Sequence, residues 1–246
     1  GLLRIVKIDK KDYFSQLSAT GNDLNSLNEE WKSKDITIPK IQNTKGTVKS
    51  KIYFYDVPDA KQSVIRIGYL ALAATDKDFY PAKVMNYRLG GGGFASELTQ
   101  QLREGKGYTY GISSMFEGSN NKGSFSIESG VRSNITYESI SLIKEITEQY
   151  GKKFSKSDLD VTKDFLVKSN ARAFETLSAK LNMLYEIGNY NFPNDYAKQR
   201  ENIVKGMTIE EIQKLANKYL NVNEMIYVIA GDAKTQLPKL EQVGFG

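Results

Sequence analysis

The chain contains no histidine and no cysteine, and these two absences exclude more chemistry than any other feature of its 246 residues. Without cysteine there are no disulfides, no thiol nucleophile and no thiolate metal ligands. A cysteine-free chain is compatible with either redox compartment. Without histidine the chain also lacks the usual general base and the usual zinc ligand, so no Ser-His or Cys-His couple can form. A metal site would have to be built from carboxylates alone. The acidic clusters Glu29-Glu30, Asp56/Asp59, Asp158/Asp160 and Glu210-Glu211 fall at caps, turns or solvated faces, and no pair stands out as a catalytic couple. No apolar run is long enough to span a membrane. The longest candidate, residues 64–74, is interrupted by Arg66 and Gly68. No signal peptide is visible. The chain begins at Gly1 rather than methionine, so a processed or truncated form is expected, from which a targeting segment could have been lost.

What is present fits a packed globular chain. Hydrophobic residues make up 40% and aromatics 11%, enough for a buried core. The net charge of +5 is spread over scattered lysines without a long run of one sign, which reads as a solvated surface and not a nucleic-acid face. Residues 1–45 read as a lead-in segment or the tail of a preceding unit, with a short strand at Leu2–Ile8, a helix at Leu24–Lys32 and a linker at Pro39–Lys45. Residues 46–246 read as one domain. Alternation over Val48–Tyr55 predicts a strand ending at Val57-Pro58. Residues 63–74 predict a second strand, with Ile65, Ile67 and Tyr69 on one face and Leu70 and Leu72 on the other, hence a central position. Helical spacing follows over Asp76–Leu89. Residues 108–116 and 123–132 predict a hairpin, with Phe125, Ile127, Ser129 and Val131 facing one way.

Helices then dominate. Residues 135–150 carry Ile140, Ile143 and Tyr150 and are expected to stop at Gly151. A capping box at Ser157/Asp160 opens a long helical stretch to about Ile187, with Leu159, Leu166, Phe174, Leu177, Leu181 and Leu184 as expected core. A cleaner box at Thr208/Glu211 precedes a stripe of Ile209, Ile212, Leu215 and Tyr219. A last strand, Glu224–Ala230, closes at Gly231-Asp232. Paired strands with helices between them predict an α+β fold, a mainly antiparallel β-sheet covered by helices on one face.

The most informative run is residues 89–111, which opens with Leu89 and four consecutive glycines, Gly90, Gly91, Gly92 and Gly93. Phe94, Leu98 and Leu102 then recur at helical spacing, Gly105 and Gly107 break the pattern, and a tyrosine-bearing strand begins. Gly90, Gly92 and Ala95 formally match a dinucleotide-binding fingerprint, but that motif needs a strand before it, and a helix precedes this one. Gly105-Lys106-Gly107 is not the end of a P-loop. Two readings stay open for the glycines: a tolerant helix-to-helix connection, or a place where backbone must come close to a partner or peptide. Arg103 and Tyr110, taken alone, read as a surface arginine and a sheet tyrosine. They are also chemically apt to donate hydrogen bonds to one carbonyl and to stabilise developing negative charge.

Leu89-Gly-Gly-Gly-Gly93, Ala95-Ser-Glu-Leu98, Leu102-Arg-Glu104 and Gly107-Tyr-Thr-Tyr110 together resemble the non-catalytic half of the insulinase/pitrilysin-like zinc metallopeptidases, a family that includes the mitochondrial processing peptidases. The resemblance runs from about Thr47 to Asp232 and includes the closing Val228–Asp232. Glu97 stands where the family usually has arginine. The fourth glycine lengthens the loop, somewhat as in the processing peptidases' non-catalytic subunit. The resemblance implies a metallopeptidase-like fold of the LuxS and processing-peptidase type. The family's catalytic half carries an H-x-x-E-H motif that holds zinc and activates water, which this histidine-free chain cannot contain. It therefore implies a domain that is not an enzyme on its own and binds no metal. Zinc is expected in a partner half, from the same natural chain or a separate subunit, and the substrate is expected to be a peptide. Arg103 would bind a substrate carbonyl, Tyr110 would donate to the oxyanion, and Gly90–Gly93 would lie near the chamber mouth or the facing half. A cell-envelope or periplasmic location is expected over a cytoplasmic one from bacterial relatives. The competing implication is a structural or protein-interaction module on the same fold, like the core subunits of respiratory complexes.

Overall fold

The computed structural model describes residues 49–172 and 175–244, together with Thr37. The strand expected at Leu2–Ile8, the helix at Leu24–Lys32, the linker and Phe174 lie outside the described residues. The chain divides into two compact units, one of residues 43–172 and 197–246, the other of residues 1–42 and 173–196.

The larger unit is built on a five-stranded sheet in the order β1-β5-β2-β4-β3. Its strands are β1 (Lys51–Asp56), β2 (Gln62–Leu70), β3 (Thr109–Glu117), β4 (Ser124–Arg132) and β5 (Ile226–Gly231). β1 and β5 pair in parallel, and all other neighbours are antiparallel. The mainly antiparallel α+β sheet read from the sequence is therefore present. β2 is central, as expected, but for a different reason. Its Ser63, Ile65 and Ile67 are buried, whereas Val64, Arg66 and Leu70 on the other face are exposed. Leu72 lies beyond the strand. The alternation is that of a sheet covered on one side only.

The covered face carries Ile65, Ile67, Phe125, Ile127, Tyr227 and Ile229, each at most 1% exposed. Helices α1 (Phe79–Asn86), α2 (Thr136–Lys153) and α6 (Ile209–Tyr219) supply the opposing layer. α2 buries Ile140, Ile143, Ile146 and Tyr150 at helical spacing. It does not stop at Gly151. That glycine sits in mid-turn where α2 meets α6, and a Cβ there would stand 3.0 Å from the Ala216 side chain. α6 opens with the expected capping box, Thr208 and Glu211 each bonding the other's backbone N–H.

Three helical expectations are corrected. The first capping box forms at Ser155/Asp158, two residues early: Ser155 N donates to Asp158 Oδ2 at 2.9 Å and Asp158 N to Ser155 Oγ at 3.2 Å. Asp160 instead pairs with Lys156 one turn away at 3.1 Å. The long stretch is also two helices, α3 (Lys156–Arg172) and α4 (Leu177–Tyr190), the second with its own cap at Thr176. Leu177, Leu181 and Leu184 are exposed and not core. The last strand ends at Gly231, as expected, and one more helix follows it. After α5 (Tyr196–Gly206) and α6, the chain returns through β5, and Asp232 accepts from Thr235 N to start α7 (Ala233–Leu240).

Asp158 ties the helical layer together. It accepts from Ser155 and also from Arg88 Nε and Nη2 at 2.9 and 2.7 Å. Burial pushes its carboxyl upward, but the Ser155 hydroxyl and amide and the Arg88 guanidinium outweigh that and hold it below the usual carboxylate range. A depressed carboxyl contributes stability above its unfolded value of about 3.9, and the contribution is lost as pH falls through the lower folded value. Asp158→Asn should therefore be destabilised relative to the parent at neutral pH, with the gap closing below about pH 4. Denaturant titrations across pH check this, and a gap that does not change with pH overturns it.

Candidate functional site

The glycine run continues α1 instead of ending it. α1 passes into a wide π-type turn, Tyr87–Gly91, then a 3-10 turn, Gly93–Ala95, and a second π-type segment, Thr99–Gly105, that leads to β3. Leu89, Leu98 and Leu102 are fully buried and anchor the run. Phe94, expected on the same buried face, is 62% exposed, because Ser96 adopts an extended backbone and interrupts the helical register between them.

β3 is an edge strand, and this run covers its outer backbone. Asn86 Nδ2 donates to the Ser114 carbonyl at 2.7 Å while Ser114 Oγ donates back to Asn86 Oδ1 at 2.5 Å. Thr99 Oγ1 donates to the Ile112 carbonyl at 3.3 Å. The chain can come this close because position 90 is glycine. A Cβ there would collide with Ser114 Oγ and stand 2.7 Å from Ser114 N. Gly91 and Gly92 pack in the same way on Asn86 and Tyr87, and Gly93 has a positive φ of 56° with open space around it. Of the two sequence readings, close backbone approach is the one seen at Gly90, and the approach is to this chain's own strand.

Arg103 and Tyr110 flank the entry to β3. Tyr108 N donates to the Leu102 carbonyl at 2.8 Å and Gly107 N to the Arg103 carbonyl at 3.0 Å, so the turn between them is fixed. The pairing of β3 with β4 is irregular between Thr109 and Ile112. Thr109 Oγ1 bridges this bulge, with Gly111 and Gly130 carbonyls at 2.8 and 2.7 Å. A bulge redirects a side chain, and Tyr110 is 90% exposed while Thr109 beside it is buried. Arg103 leaves the buried Leu102 turn toward solvent. Its guanidinium lies 4.7 Å from the Phe94 ring centre and its Nε is 3.4 Å from Glu104 Oε1. No hydrogen bond joins Arg103 to Tyr110. Tyr110 is exposed and Arg103 half-buried.

Two cavities lie nearby. A groove of about 510 Å³ runs past Tyr80, Lys83, Tyr87, Gly91, Met115 and Leu166 and reaches the glycine turn, but neither Arg103 nor Tyr110 lines it. A smaller one of about 220 Å³ is lined by Arg88, Glu97, Tyr150 and Asp158. Glu97 accepts there from Gln101 Nε2 at 3.0 Å. Burial, with Asp158 and Glu97 nearby, pushes the Tyr150 phenol well up, and its hydroxyl donates to the Met85 carbonyl at 2.6 Å. Asn86 and Thr99, which organise the site, carried no sequence signal of their own, since their role depends on which strand lies at the sheet edge. Among the described residues there is no group of His, Cys, Asp or Glu that could hold a metal ion.

A family model described as the peptidase M16 inactive domain matches residues 6–166, more than half of the chain. The chain belongs to this peptidase M16 family of inactive domains. The match begins within the segment read as a lead-in. The non-peptidase homolog YmxG of Helicobacter pylori is 26% identical over 180 residues, covering 72% of this chain and 41% of that protein. A peptidase M16 inactive domain from Pseudomonas fluorescens is 27% identical with a TM-score of 0.75, covering 82% of this chain and 48% of that one. A protease from Helicobacter pylori shares the fold at 17% identity and a TM-score of 0.75, over 87% of this chain and 52% of that one. The chain thus spans about half the length of these relatives. The insulinase-type resemblance read from residues 89–111 is borne out at the level of family and fold.

The packing at position 90 makes a direct prediction. Gly90→Ala should lower stability by about 1–3 kcal/mol through overpacking against Ser114. Gly206→Ala, where a Cβ would meet nothing within 4 Å, serves as the control and should be close to neutral. Equal melting of both variants in denaturant overturns the close-approach reading.

Proposed function

We propose that this inactive peptidase M16 domain, in its 46–246 portion, binds an extended peptide and completes the active site of a zinc-bearing half. The observation that carries the reading is the pairing of exposure with rigidity at Arg103 and Tyr110. Tyr110 projects to solvent, and Arg103 is half-exposed beside Glu104 and Phe94, each on backbone pinned by buried neighbours. Arg103 would bind a substrate carbonyl with a charge that never titrates. Tyr110 would donate to the oxyanion formed when zinc-bound water attacks. Zinc and the water-activating glutamate would come from the other half, in the same natural chain or a separate subunit. Gly90–Gly93 would lie toward the chamber mouth.

A second reading has an observation of its own. The relative YmxG is named a non-peptidase homolog, which favours a structural or protein-interaction module on this fold. The two readings diverge on turnover.

In a complex reconstituted with a zinc-bearing half, Tyr110→Phe and Arg103→Ala should each lower kcat on the order of 10²–10³-fold, the usual cost of an oxyanion donor. Assembly, followed by gel filtration, should not change, because both side chains lie outside the core. Turnover equal to the parent's would sink the assigned roles and put the interaction module ahead.

A further inference from the structure

Arg132, the last residue of β4, stands beside the candidate site without a role in it so far. Val131 and Thr109 form a buried cross-strand pair on the covered side of the sheet. The residues that follow them, Arg132 on β4 and Tyr110 on β3, are both exposed. Alternation puts both on the open face. They stand diagonally across the strand pair, where cross-strand neighbours are roughly 7–8 Å apart. Arg132 also reaches the turn that carries Arg103. Its Nη2 lies 3.5 Å from the Gly107 carbonyl, while Gly107 N donates to the Arg103 carbonyl at 3.0 Å. All of these residues belong to the larger unit.

Charge around this turn does not balance. Arg66 pairs with Glu128 at 2.7 Å, and Arg103 with Glu104 at 3.4 Å. Lys106 and Arg132 are exposed and, among the described residues, pair with no carboxylate. A solvated surface lysine accounts for Lys106. Arg132 differs, because the strand and the Gly107 carbonyl fix where its guanidinium stands. Next to it on the open face, position 130 is glycine, and a Cβ there would meet nothing within 4 Å. A side chain from outside therefore reaches the guanidinium without displacing one of this chain's own.

We propose that Arg132 is a specificity residue for acidic peptides, its guanidinium donating to a Glu or Asp side chain of the extended peptide that Arg103 and Tyr110 would contact. The inference rests on the peptide-binding reading and adds the chemical class of the peptide. Side chains two apart on an extended strand are separated by roughly 7 Å, close to the diagonal spacing between Tyr110 and Arg132. One face of a single peptide can thus meet both. A guanidinium donates two parallel hydrogen bonds to a carboxylate and does not lose its charge. Lys106 adds to the attracting field without fixing a geometry.

The test is fluorescence anisotropy of labelled short peptides, both termini blocked, titrated with the 246-residue chain. The peptides are identical except that one position carries Glu, Gln or Lys. The Glu peptide is expected to bind about fivefold tighter than the Gln peptide, the upper end for a solvent-exposed ion pair, and the Lys peptide to bind weakest. The advantage should shrink as salt is raised. Arg132→Gln should make the Glu and Gln peptides bind alike, and Arg132→Lys should keep part of the difference. Lys152→Gln removes the same charge from α2, on the covered side of the sheet, and should leave the difference intact. No preference for Glu overturns the proposal, as does a preference that survives Arg132→Gln or is lost equally in Lys152→Gln. So does the absence of any binding. Turnover of the same peptides in the complex with a zinc-bearing half separates the two readings. An Arg132-dependent preference in binding without cleavage keeps the acidic-peptide site and overturns the active-site role. Cleavage with no preference for Glu overturns the role of Arg132 and leaves the active-site role standing.

Discussion

An edge strand presents a row of unpaired backbone groups, and the local structure around the candidate site follows from how β3 satisfies them. Ser114 and Ile112 turn their carbonyls away from β4, and Asn86 and Thr99 supply the missing donors. For those side chains to reach, the chain after α1 must lie against the strand. Gly90 allows this, because any Cβ would collide with Ser114. The wide π-type turns carry the same segment along the edge before it reverses into β3. The positions of the half-buried Arg103 and the exposed Tyr110 result from this arrangement, one near the end of the covering segment and the other on the bulge that opens the covered strand.

The helical layer is joined to that segment through charge. Arg88 leaves the glycine turn and meets Asp158 at the start of α3, and Asp158 also caps that helix through Ser155. One carboxylate thus links the edge cover, the helix start and the small cavity beside Tyr150. Exposed pairs such as Lys156–Asp160 do little by comparison, since water competes for both partners.

The sheet has two unlike faces. One is closed by α1, α2 and α6 with side chains that exclude solvent. The other presents tyrosines, valines and one ion pair to solvent. The chain belongs to a family of inactive peptidase domains and contains no histidine and no cysteine.

Much of this was legible in residue order. All five strands of the sheet were read from residue order, and the Thr208/Glu211 box marked the start of α6 to the residue. The glycine run, Arg103 and Tyr110 were enough to point to the family. Errors came where a local pattern had two solutions. Ser155/Asp158 and Ser157/Asp160 are both plausible caps, and Arg88, 70 residues before Asp158, pairs with the first. Leu177, Leu181 and Leu184 have the spacing of a buried stripe, but periodicity describes a helix face and not what lies against it. The sequence by itself determined the strands, the missing chemistry and the candidate donors, because these depend on residue type and short-range spacing. Only the tertiary structure decided that β3 is an edge, that Gly90 approaches Ser114 and that one sheet face stays open, because each depends on which distant segments come together.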